Sequence, residues 1–174
     1  MKKLCFLPVL LIGMIGTLAF KFIMNDEQFV KMASSSNSLE IALGGQAVQK
    51  GNAESVKMFG KKMSEDHGKA GVELADLAKS KGWELPQKLE PAHQEEVDKL
   101  ARLNGEEFDR EFAVAMLKSH QEAVALFENA AGNSDLDADL KRWASEKLPT
   151  LKAHLEEAER LASQIAGNSS GSRN

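Results

Sequence analysis

Four stretches of this chain repeat apolar residues at intervals of three and four, and glycine, asparagine or proline separates each stretch from the next. That interval is the period of an α-helix with one buried face. The first stretch covers residues 26–50, with Phe29, Met32, Leu39, Leu43 and Ala47 along one side. It has soft places: Ser34-Ser35-Ser36-Asn37-Ser38 is poor helix material, and Gly44-Gly45 marks either a close helix contact or a break. Gly51-Asn52 makes a tight link, with Asn52 the expected N-cap. The second stretch follows to about Ser80 with Val56, Phe59, Met63, His67, Ala70, Leu74 and Leu77 in line. So short a link requires the first two helices to be antiparallel neighbours.

Gly82, Pro86 and Pro91 punctuate the longest connection. A short helix is predicted from Pro91 to Leu103, with proline at its permitted first turn. The third long helix is predicted over residues 106–131, carrying Phe108, Phe112, Met116, His120, Ala123 and Phe127. Gly132-Asn133-Ser134 stops it. The fourth is predicted over residues 135–166, carrying Leu140, Trp143, Leu151, His154, Leu155 and Leu161, with a kink expected at Pro149. The small, polar tail, 167–174, is expected to be disordered. Scarce proline and unclustered valine and isoleucine leave strands little to build on. The fold class is therefore all-α: a four-helix bundle over residues 25–166 with a short extra helix between the second and third long helices. A connection of about 25 residues, half of it helical, spans about 40–50 Å. Both a one-crossover order and an up-down-up-down order are open to it.

The start of the chain is different. Lys2 and Lys3 precede an uncharged apolar run, Leu4 to Phe20, the pattern of a secretory signal over residues 1–20. Left uncleaved, residues 4–20 would be the chain's one membrane contact. The only cysteine, Cys5, lies at the very start of that run and cannot be a lipidated cysteine after it. The formal net charge is −4, and loss of Lys2 and Lys3 with the signal makes the rest more acidic. A mildly acidic surface of interspersed charges excludes nucleic acid as a partner class. An exported, periplasmic or envelope-associated protein is expected, with envelope proteins as its partner class.

Of the four histidines, His67, His120 and His154 lie near mid-helix on or beside the apolar stripe, and Glu40 lies at a similar height on the first helix. At about 1.5 Å rise per residue the four fall within about two turns of one another. Four helices that each offer one polar group at mid-height form the kind of interior that holds a metal in bundles. Met63 lies four residues before His67, and Met116 four before His120, so each pair shares a helix face. Imidazole with carboxylate suits Zn or Fe, and imidazole with thioether suits Cu(I). A plain reading stands beside this one: core histidines hydrogen-bonded to neighbours, with methionine as packing filler. A di-iron oxidase pattern is missing, because Ser64, Leu117 and Leu151 stand where Glu-x-x-His would need carboxylates. His93 is expected at the surface. Asp66 and Asp109 are expected to cap or pair, Trp143 to be core, and Trp83 to cover a bundle end. No Ser-His-Asp order or Gly-rich phosphate loop points to catalysis.

Phe59, Met63 and Asp66-His67 with Leu74 and Leu77, then Phe108-Asp109, Met116 with His120, and Leu148-Pro149 with Leu151 and His154, resemble the pattern of a large bacterial envelope family of unknown function. Its members are exported, ferritin-like, and often labelled membrane or outer-membrane proteins. The resemblance covers about residues 25–165 and includes Glu40. Phe112 departs from it, where a tyrosine is expected. The resemblance implies export and a ferritin-like bundle; it implies no activity. The leading expectation is a bundle with a metal or small-ligand site on Glu40, His67, His120 and His154, with Met63 and Met116 as soft ligands and Fe, Zn or Cu as the ion. A structural or protein-interaction module of the envelope is the alternative, and a metal-dependent redox enzyme the third.

Overall fold

The computed structural model describes residues 24–171, so the expected signal at 1–20 and the end of the tail lie outside the described residues. Five helices follow in order: α1 (Asp26–Lys50), α2 (Glu54–Lys81), α3 (Pro91–Ala101), α4 (Gly105–Gly132) and α5 (Ala138–Gly171). The described residues form an all-helical bundle, as the periodicity requires.

The helix ends explain where the elements begin and stop. Asn25 and Gln28 form a capping box at the start of α1, each side chain bonding the other's backbone N–H. Asn52 does not cap α2. The cap position is Ala53, and the acceptor is supplied across the fold: Asp109 of α4 takes the N–H groups of Asn52 and Ala53 at 2.8 and 2.7 Å. A carboxylate there satisfies two backbone donors and complements the positive end of the helix dipole. At the far end of α2, Gly82 takes φ 73°, and the Trp83 N–H returns to the Ala78 carbonyl at 2.9 Å. This is the glycine stop with a six-to-one bond back into the last turn. Asp137 accepts from the N–H groups of Asp139 and Leu140 and so opens α5. That helix runs unbroken through Pro149 and on to Gly171, past the expected end at Ala166.

α1 is also unbroken, and its soft places are contacts. A Cβ on Gly44 would lie 2.5 Å from the Gly60 carbonyl oxygen and from Ser64 Oγ, and one on Gly60 would lie 2.5 Å from Ala47 Cβ. The glycines let α1 and α2 approach backbone to backbone. Ser35, in the serine-rich run, is buried and accepts the N–H of Glu90, while His93 Nδ1 lies 2.8 Å from its Oγ. His93 is therefore partly buried and tied to α1, and the surface position expected for it is corrected.

The connection between α2 and α4 travels the length of the bundle. The Lys81 ammonium meets Asp137 at the start of α5, beside the end where Phe29 meets Phe127 and Trp143. Gly105, the first residue of α4, lies at the opposite end, bridged to Gly51 at the end of α1. α3 lies along α1, with the Gln46 amide donating to the Val97 carbonyl. The one-crossover order is the one adopted. Every adjacent long pair is antiparallel: α1 with α2 and α4, and α5 with α2 and α4.

The core falls into two apolar clusters. One gathers Leu43, Phe59, Met63, Phe108, Phe112 and Met116. The other gathers Phe29, Leu74, Phe127, Leu140, Trp143 and Leu151, with Trp83 packed on its edge. Between them each long helix contributes buried polar side chains: Glu40 from α1, His67 from α2, Ser119 and His120 from α4, and His154 from α5. Among the described residues no helix is long and apolar enough to cross a membrane.

Candidate metal centre

His67, His120 and His154 converge in this polar belt. Their ring centroids are 5.5–5.8 Å apart, close to an equilateral triangle. One ring nitrogen from each lies within 4.8 Å of the other two. The three are 7%, 0% and 2% exposed, so water does not satisfy them.

Each ring uses its two nitrogens differently. His67 Nδ1 lies 3.1 Å from Asn37 Oδ1, His120 Nδ1 lies 2.8 Å from the Met116 carbonyl oxygen, and His154 Nε2 lies 3.1 Å from Asp66 Oδ2. All three partners are acceptors, so that nitrogen carries the proton and donates. The opposite nitrogen then bears a lone pair. Those atoms are His67 Nε2, His120 Nε2 and His154 Nδ1, and none has a hydrogen-bond partner. Holding the far nitrogen fixes the tautomer and the ring orientation, which is how metal-binding histidines are arranged. Burial lowers the pKa of His67 to about 3, helped by the neighbouring His120 and His154. Burial lowers His120 to about 4 and holds His154 below its usual value, against the pull of Asp66. All three are neutral near pH 7, the state that binds a cation through nitrogen.

Glu40 is wholly buried, and burial pushes its carboxyl up to about 8, partly offset by the hydrogen bond from Ser119 Oγ. Its Oε1 lies 3.6 Å from His120 Nδ1. With the acid protonated and the imidazole neutral, this is a contact between uncharged groups and not an ion pair. Glu40 thus stands at the protonated side of His120, outside the three-nitrogen cluster, and its Oε2 has no partner. Met63 and Met116 are fully buried in the apolar cluster with Phe59 and Phe112. Met116 enters the site through its main-chain carbonyl.

Of the six side chains singled out from the sequence, the fold gathers the three histidines around one point, with Glu40 against one of them. Asn37, Asp66 and Ser119 complete the arrangement. Asp66 was expected to pair, and it does so with a histidine on another helix. Asn37 gave no signal beyond its place one turn before Glu40. Trp143 is core as expected, with its indole N–H donating to Glu73.

A cavity of about 320 Å³ reaches this site from between the helices. His67 and His154 line it, and His120 does not. Phe127, Trp143 and Leu151 form its apolar wall, and Lys147 stands at its margin.

The model of the family described as "Domain of unknown function (DUF4142)" matches residues 19–161. The chain belongs to this family. No curated protein matches it. Among solved structures, a DUF305 fragment from Deinococcus radiodurans superposes with a TM-score of 0.69 at 18% identity, covering 79% of this chain and 95% of that one. CopM in its Cu(II)-bound form superposes with a TM-score of 0.67 at 19% identity, covering 81% and 97%. A DUF305 protein from Streptomyces coelicolor, named as a candidate secreted protein, gives 0.66 at 12% identity, covering 80% and 93%. At such identities the likeness is one of fold. These neighbours place the DUF4142 chain among helical bundles.

Proposed function

We propose that this DUF4142 protein binds one transition-metal ion between α2, α4 and α5, on His67 Nε2, His120 Nε2 and His154 Nδ1. The observation that carries the reading is that three buried rings converge, with one nitrogen of each within 4.8 Å of the other two, while every ring has one nitrogen held by an acceptor and the other without a partner. Three neutral imidazoles without thiolate suit Cu, Zn or Fe, and the usual affinity order puts Cu(II) first. CopM, of the same fold, carries Cu(II), which makes copper the ion to try first. Met63 and Met116 belong to the proposal as soft donors that a Cu(I) form would recruit. The one-crossover order supports describing the bundle as ferritin-like, without the paired Glu-x-x-His motifs of di-iron enzymes. The proposed compartment is the periplasm, supported by the Lys2-Lys3 start and apolar run.

Elemental analysis of protein purified from the native periplasm tests this, beside a variant with His67, His120 and His154 all changed to Gln. About one metal per chain, lost in the variant, is the expected result. Absence of metal from protein refolded with Cu, Zn and Fe sinks the proposal and leaves an envelope interaction module as the reading.

A further inference from the structure

We infer that the cavity beside the three histidines receives a small organic monoanion with a flat apolar body, whose charged head takes the metal's remaining position. This rests on the metal-binding reading above.

Three imidazoles leave at least one coordination position on an ion of this kind. Its direction follows from which rings the cavity touches. His120 is fully buried and lies away from the cavity, whereas His67 and His154 form part of the cavity wall. An ion held by all three therefore has His120 behind it and the cavity in front.

The charge of the occupant follows from the groups around the ion. Metal-bound imidazoles are neutral donors, and Glu40 lies on the opposite side of His120, 3.6 Å from its Nδ1 and not among the residues that line the cavity. The carboxylates nearby are already engaged. Asp66 holds His154 and pairs with Lys69, Glu157 pairs with Lys62, and Glu73 is shared by Lys147 and the Trp143 indole. A divalent ion would thus keep its charge unneutralised by its own ligands, and an anion entering from the cavity is the fitting fourth ligand. The mouth offers no free cation of its own, because Lys69 and Lys147 are both paired, so attraction for an anion would come from the metal.

The body of the occupant follows from the walls. Phe127, Trp143 and Leu151 present hydrocarbon, since the one polar atom of Trp143 is bound to Glu73. About 320 Å³ lies at the lower end of the small-ligand range, enough for a single ring with one head group.

The test uses three probes of graded chemistry: benzoate, acetate and benzamide. The purified exported protein is loaded with Cu(II), its metal content confirmed, and each probe is titrated by calorimetry and by the Cu(II) electron paramagnetic resonance spectrum. Benzoate is expected to shift the spectrum and to bind at least about tenfold more tightly than acetate, which lacks the ring, or benzamide, which lacks the charge. Metal-free protein is expected to bind none of them. Ala70→Phe, which fills the cavity from α2, is expected to keep the metal and lose benzoate. Protein that holds copper while benzoate leaves the spectrum unchanged overturns this inference and spares the metal site. Equal binding of benzoate to metal-free protein also overturns it. Failure to hold metal at all removes the site itself, and the ligand with it.

Discussion

Glu40→Gln measures the cost of the carboxyl at the centre of the bundle. In the folded chain that group titrates near 8 against an ordinary 4.5, because burial disfavours its charged form. The sign is that of a raised acid: its favourable contribution is complete below the unfolded value and is lost as the pH rises through the folded one. Near neutral pH the folded protein must hold a proton that the unfolded chain has released. At about 1.4 kcal/mol per pH unit, this lowers stability by about 3 kcal/mol at pH 7 and by under about 0.5 kcal/mol at the unfolded pKa. Glutamine keeps the volume and, through its carbonyl, the acceptor for Ser119 Oγ, and never ionises. The variant is therefore expected to be more stable than the parent at neutral pH by about 3 kcal/mol, and nearly equal to it in acid. Urea unfolding of both proteins in a metal chelator reads this as a midpoint difference of about 1–2 M near neutrality that closes as the pH falls. The three histidines, whose folded pKa values are lowered, destabilise both proteins alike as the pH drops below 6.5 and cancel in the comparison. A stability difference that stays flat with pH refutes the protonated, buried Glu40.

Asp66→Ala, which frees His154 Nε2, is expected to weaken metal binding by about 10–100-fold, measured by competition with a chelator. Asp66→Asn, which retains an acceptor oxygen, is expected to recover most of that affinity, and equal losses in both would deny Asp66 an orienting role. Asp109→Ala removes both acceptors at the start of α2 and is expected to cost about 2 kcal/mol in thermal or urea unfolding, with metal content unchanged.

The helices were legible because their signals are local. Periodicity placed the four long helices, proline at a permitted first turn placed α3, and the glycine at residue 82 stopped α2 as its left-handed geometry requires. What local signals miss is help from another part of the chain. Asn52 looked like a cap, yet Asp109, more than fifty residues on, supplies the acceptor. The serines and glycines of α1 looked weak by propensity, yet Gly44 and Gly60 permit the close approach of α1 and α2, and Ser35 anchors the crossover. Propensity describes a helix in water, and these residues work against a neighbouring helix.

The three histidines were legible by height alone, since helices of similar length in one bundle align residues near their middles. The residues that orient them were not, because hydrogen bonds between helices leave no period. Those bonds also bear on what the belt is for. A bundle under selection only for stability gains nothing from three rings forced to stay neutral and an acid forced to hold its proton, each with one buried atom unpartnered. Leucine at the same positions would join the two apolar clusters into one core. If the rings served only to bond Asn37, Met116 and Asp66, three buried imidazoles, each with an unpartnered nitrogen, would have no reason to gather so closely that a ligand atom of each lies within 4.8 Å of the others. A cation between them would give the unpartnered nitrogens a partner, and this convergence favours a metal over a chance set of core histidines.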